Sequence, residues 1–108
     1  MEPIYPDIAT LLLELEAELR ALDLWDAEPP SLAALASTEP FCVDTLTLPQ
    51  WLQFVFLPRM SQMVETEMPL PQACGIAPMA EEFFRGSELS VEILTRKLRE
   101  IDERLARG

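Results

Sequence analysis

The 108-residue chain contains no histidine, two cysteines, three glycines, and eight basic residues against nineteen acidic ones. Each scarcity removes a class of chemistry. Without histidine, the commonest general base and the imidazole-dependent triads are gone. Cys42 and Cys74 cannot form a closed zinc site, which wants four nitrogen or sulfur ligands at short spacings. Neither cysteine belongs to a CxxC pair or lies beside an activating base, so both read as reduced thiols, with a disulfide between them as the lesser alternative. Three glycines hardly suffice for a phosphate-cradling loop. No apolar run is long enough to span a bilayer, and no charged-then-apolar leader opens the sequence, which points to a cytoplasmic protein without a membrane role.

The shortage of base is uneven. Residues 1–58 carry ten acids against Arg20 alone, and residues 59–108 carry nine acids against seven bases, for a net charge of −11. Direct nucleic-acid binding needs basic surface to replace counterions, and this field opposes it. A basic protein partner suits it, or a simple role in solubility.

What the chain does contain is leucine, alanine and glutamate, which favour helix over sheet. The ten prolines fall mostly between periodic segments. Ile8, Leu12, Leu15, Leu19 and Leu22 step by fours and threes, predicting a helix over 6–23. SLAALA, from Ser31, predicts two further turns, and STEPFCVDT an extended piece, because Pro40 disfavours helix at the residue before it. Thr47 suits an N-cap, with Pro49 in the first turn of a helix running to about Glu67. A loop and a short helix at 77–85 follow, stopped by Gly86. Val91, Leu94, Leu98, Ile101 and Leu105 mark the last helix, with Glu92–Arg96, Glu100–Arg104 and Glu103–Arg107 as i,i+4 pairs. The expected fold is all-α: one domain over 1–108, a four- to five-helix bundle with a Pro-kinked central helix.

The central helix is the unusual element. Leu52, Phe56, Met60 and Met63 keep one face across Pro58, so the stripe predicts a single helix kinked at the proline rather than two helices. Phe54 and Leu57 interrupt the polar face of Gln50, Gln53 and Ser61, and Trp51 lies on its flank. A helix apolar nearly all round reads first as a buried centre. The functional reading makes Trp51, Phe54 and Leu57 a partner-binding patch. Arg59 falls beside Leu52, where a lone guanidinium is costly, so either the kink turns it outward or an acid from another segment pairs with it, with Asp44, Glu81 and Glu82 as candidates. Glu65, Glu67, Glu81 and Glu82 read as surface acids in preference to a cation site.

The segments TEPFCVDTLTLPQWLQFVFLPRM and LPQACGIAPMAEE resemble the YqcC-like family of small bacterial helical proteins. The likeness is most specific at Phe41, Asp44, Thr45, Trp51, Leu52, Gln53, Pro58, Arg59 and Met60, and continues at Leu70, Pro71, Ala77 and Pro78. The two cysteines lie outside the pattern. The resemblance implies a helical bundle with no established enzymatic activity or cofactor. It also implies an association with a C-type tRNA pseudouridine synthase, whose gene often neighbours those of the family. Two readings follow. One is a non-catalytic accessory protein that meets a basic partner through Trp51, Phe54 and Leu57, oriented by Arg59 and Asp44 and steered by Glu14–Glu18. The other is a self-associating module, dimerised through the Val91–Leu105 stripe.

Overall fold

The computed structural model describes residues 4–71 and 75–107, and among these no strand occurs. Helix α1 (Ile4–Ala21) is followed by the short α2 (Leu32–Leu35), capped by the Ser31 hydroxyl, and by a 3-10 turn at Pro40–Cys42. Thr47 then opens the central helix with a reciprocal capping box: its side chain accepts from the Gln50 amide, and the Gln50 side chain accepts from the Thr47 amide. That helix consists of α3 (Leu48–Trp51), a π-helical segment (Leu52–Phe56) and α4 (Leu57–Glu65). Helices α5 (Ile76–Phe83) and α6 (Glu92–Arg107) complete the fold. Cys42 is a buried free thiol, and Cys74 lies outside the described residues.

Pro58 does not break the central helix. A proline in an α-helix lacks the amide that would bond the i−4 carbonyl and presses its ring against it. Here the Leu57 amide, one residue earlier, bonds the Leu52 carbonyl in an i−5 pattern. The turn ahead of the proline is therefore wider than an α-turn, and the helix passes through as a π-bulge. This widened turn decides which side chains reach the core. Leu48, Leu52, Phe56 and Met60 are buried along one seam, with Pro49, Gln53 and Leu57 on an adjoining one.

Helix α1 packs against both α6 and α4, and α5 packs against α6. Ile8, Leu12, Leu15 and Leu19 of α1 are buried as their spacing predicts. Leu94, Leu98, Ile101 and Leu105 of α6 are at most 1% exposed. The stripe that might have dimerised two copies is thus consumed inside its own bundle, which removes that basis for the self-associating reading. The expected Glu92–Arg96 and Glu103–Arg107 pairs do not form either. Three other bases of α6 reach neighbouring helices: Lys97 to Glu14 at 2.9 Å, Arg99 to Glu81 at 2.7 Å and Arg104 to Asp7 at 3.1 Å. Asp102 accepts from the Ile76 and Ala77 amides at 3.2 and 2.8 Å, supplying from α6 the N-terminal cap that Gly75 cannot give α5.

Two helix ends close on non-glycine residues in the left-handed region, Asp23 (φ 63°) after α1 and Glu67 (φ 52°) after α4. In each, the following amide reaches back to the helix: Leu24 to the Leu19 carbonyl, Met68 to the Met63 carbonyl, both at 2.9 Å. These are Schellman closures, built without the usual glycine. The Tyr5 hydroxyl, 3.0 and 2.8 Å from the Glu67 and Met68 carbonyls, ties the second of them to the start of α1.

Candidate functional site

The segment around Pro40 departs from the extended piece expected. Glu39, the residue before the proline, is extended (φ −76°, ψ 150°), as the proline ring requires. That restriction does not reach forward. Phe41 and Cys42 both adopt positive φ, 57° and 49°, inside a 3-10 turn. Local hydrogen bonds hold the turn: Leu46 N–H to the Cys42 carbonyl at 2.8 Å, Thr45 Oγ1 to the Ala34 carbonyl at 2.7 Å, and Ser37 Oγ to Asp44 Oδ1. Two adjacent non-glycine residues in this region each cost on the order of 1–2 kcal/mol, which the surrounding contacts must offset.

The turn serves to place the Phe41 ring edge-on to Trp51, with centroids 4.8 Å apart at 69°. Trp51 in turn stacks on Phe56 at 5.5 Å and 29°. An open groove of about 430 Å³ runs beside this trio. Phe56 and Met60 are buried in its floor, Phe41, Trp51, Met63 and Pro71 are half-buried in its walls, and Pro40 and Arg59 stand exposed at its rim. The floor and walls are aromatic, thioether or proline side chains, and the single charge among the described lining residues is the Arg59 guanidinium.

The residues singled out from sequence part company here. Trp51 and Arg59 share the groove. Phe54 is half-buried and does not line it. Leu57 is only 6% exposed and faces the crevice between α1 and α4, with Ala9, Leu12 and Val64. The π-turn accounts for this displacement, because a residue count at 100° per position misplaces everything after a wider turn. Asp44 is exposed and bonds Ser37, so it organises the loop behind the groove.

Arg59 has no ion-pair partner among the described residues. Glu81 is taken by Arg99, Glu82 by Arg85, and Asp44 by Ser37, so none of the expected acids meets it. The cost of a buried guanidinium does not arise, since Arg59 is exposed. The steering acids also shift. Glu14 and Glu16 are paired with Lys97 and Arg20. By contrast Asp23, Asp26, Glu28, Glu39 and Asp44 make no ion pair with any described residue, so the uncompensated charge gathers over 23–44, the stretch that carries the groove's outer lip.

Sequence reasoning missed Phe41 as a wall of the groove and Gln53 as the anchor of the 22–26 corner. Gln53 is 7% exposed; its Oε1 accepts from the Asp26 amide and its Nε2 donates to the Asp26 carbonyl, both at 2.8 Å. Arg20 lies over the neighbouring Trp25 ring at 4.3 Å. These contacts fix the 22–26 corner to the central helix. Elsewhere, Glu65, Glu67, Glu81 and Glu82 are all exposed, and among the described residues no group of three or more carboxylates and thiols is placed to hold a metal ion. No described helix is long and apolar enough to cross a membrane.

The DUF446 family, described as "tRNA pseudouridine synthase C", matches residues 7–104. An uncharacterized protein of Haemophilus influenzae is 37% identical over 84 residues, covering 78% of this chain and 79% of that one. Protein YqcC of Escherichia coli K12 is 40% identical over 70 residues, or 65% of this chain and 64% of its own. A tRNA pseudouridine synthase C of Pectobacterium carotovorum is 44% identical over 77 residues, which are 71% of this chain but only 20% of that protein. The solution NMR structure of E. coli YqcC superimposes with a TM-score of 0.85 at 30% identity, over 97% of this chain and 90% of that one. With a family match along most of its length and the same helical fold, this chain belongs to the YqcC-like (DUF446) family.

Proposed function

We propose that the protein is a non-catalytic recognition module that partners a tRNA pseudouridine synthase of the C type. The observation carrying this reading is the Pectobacterium relative. There a counterpart of this chain occupies 20% of a protein that bears the synthase name, leaving four-fifths of the polypeptide for other functions. A module carried within an enzyme's own chain is held near it at high effective concentration. A free-standing relative of similar length to this chain, such as that of H. influenzae, needs affinity to achieve the same proximity.

The chemistry of the chain supports recognition over reaction. It has no histidine, its pairs of glutamates are exposed and engaged with arginines or solvent, and the groove beside Trp51 is apolar. A net charge of −11 repels the phosphate backbone of tRNA and suits the basic surface that a tRNA-modifying enzyme presents. A cytoplasmic setting follows from that role. The groove around Trp51 is the docking surface, since desolvated aromatic pockets dominate binding energy at protein interfaces.

The direct test is isothermal titration of the full chain into the purified synthase, without and with tRNA. A saturable complex at micromolar concentration is expected, weakened by Trp51→Ala. Absence of heat and of co-elution on a sizing column would overturn the partnership.

A further inference from the structure

We infer that the groove beside Trp51 receives a short peptide segment whose bulky apolar side chain enters among Trp51, Phe56, Met60 and Met63 while a neighbouring carboxylate meets Arg59. The inference rests on the groove being the docking surface, and is independent of which enzyme supplies the segment.

Charge complementarity carries it. The chain has nineteen acids, and five of its eight bases (Arg20, Arg85, Lys97, Arg99 and Arg104) engage one of them. Arg59 does not, although it is exposed in a strongly acidic molecule. Its guanidinium stands at the rim of a groove with no other charge among the described residues of its lining. A planar fork in that position is suited to a carboxylate, which it can grip through two parallel hydrogen bonds.

The lining excludes other occupants. Small-molecule sites converge several polar groups on the ligand, whereas the described lining of this groove offers one charged side chain. A nucleic acid would find its phosphates opposed by the unpaired acids of 23–44. A second copy of the chain would bring another net charge of −11 against the first. What remains is an apolar side chain with an acid beside it. Two methionines in the lining allow the walls to adapt to its shape. The left-handed backbone at Phe41 and Cys42, held by the Thr45 and Asp44 hydrogen bonds, sets one wall before binding.

The test uses the full chain and a phage library of random dodecapeptides, so it does not depend on the synthase. Selected peptides are expected to share an aromatic or large aliphatic residue with Asp or Glu within about four positions. Synthesised with a fluorophore and titrated, the best peptide should lose at least tenfold in affinity against Arg59→Glu and against Trp51→Ala. Exchanging the peptide's acid for lysine should abolish wild-type binding and restore it to Arg59→Glu. A lysine- or arginine-rich consensus, a consensus without an acid, no enrichment, or equal affinity for Arg59→Glu would each overturn the inference. So would an oligomer of the chain alone that Arg59→Glu dissolves. If the synthase binds but the library yields no acid-bearing apolar consensus, this inference falls and the partnership stands. If the peptides behave as expected but the synthase does not bind, the reverse holds.

Discussion

Gln53 shows how a single polar side chain can hold two segments in register. Its carboxamide presents one acceptor and one donor in the geometry of a peptide group, and Asp26 offers the complementary pair at 2.8 Å each. Truncation of the buried Gln53 side chain leaves the Asp26 amide and carbonyl, both in part-buried hydrogen bonds, without their partner. Gln53→Ala should therefore cost about 1–3 kcal/mol. Gln53→Glu should cost at least as much, because a carboxylate can replace the acceptor but not the donor. Urea titration of both variants, with exchange of the Asp26 amide followed by NMR, checks this; unchanged protection at Asp26 would show that the clasp is dispensable. On sequence alone Gln53 belonged to a polar face with Gln50 and Ser61. Periodicity separates apolar from polar positions, but it does not reveal that a polar one will be buried against a backbone 27 residues away. The same blindness hid Phe41, whose positive φ follows from its packing on Trp51 and not from any residue type favouring that conformation.

Pro58 raises the corresponding question for an element. That the helix would continue through the proline was legible, since the apolar stripe keeps one face on both sides. How the backbone would accommodate the ring was not, although the spacing held a clue. Leu48, Leu52, Phe56 and Met60 recur strictly at four, and at 3.6 residues per turn such a seam drifts by about 40° at every step. A locally wider turn keeps it aligned, and the π-segment is where the chain takes one. An unrelieved interior proline costs about 3 kcal/mol. Because the π-turn relieves the clash and the buried seam fixes the turn, Pro58→Ala should gain well under half of that. A gain near the full figure in chemical denaturation would mean that the clash persists. Helix pairing gives a second prediction at this scale. Lys97 bridges α6 to Glu14 of α1, and that hydrogen bond, joined by the charge of Glu100, raises its pKa above the ordinary lysine value of 10.5 against a smaller opposing effect of desolvation. A folded pKa above the unfolded one means that the contribution is fully present below the ordinary lysine pKa and fades as pH rises through the folded value. The stability difference between the wild type and Lys97→Met should accordingly be constant from neutral pH to about 10 and shrink above it. A difference unaffected by alkaline pH would assign the role of Lys97 to its methylene stem alone.

For the whole molecule, the decisive quantity is where charge is left uncompensated. The sequence assigned the acidic field to residues 1–58 as a block, with Glu14–Glu18 foremost, because a charge count ignores pairing. In the folded chain α6 supplies Lys97 and Arg104 to Glu14 and Asp7, and Arg20 answers Glu16, so α1 is largely neutralised. The field gathers instead over 23–44, the stretch that includes the groove's lip at Pro40 and Phe41. Under the proposed partnership, long-range steering and short-range docking come from different residues and are separable by kinetics. Screening shortens from about 10 Å at 0.1 M salt to about 3 Å at 1 M, which suppresses attraction during approach but hardly touches contacts already formed. Association of the chain with a basic partner, measured by stopped flow, should slow by at least tenfold across that range while dissociation changes little. Neutralising Asp23, Glu28 and Glu39 together as Asp23→Asn, Glu28→Gln and Glu39→Gln should reproduce much of the slowing at low salt. Trp51→Ala should do the opposite, leaving association near the wild-type rate and hastening dissociation, because an apolar anchor acts only once the surfaces meet. If the triple variant alters dissociation and not association, the acids of 23–44 sit within the contact itself, and the partner must cover the outer lip as well as the groove.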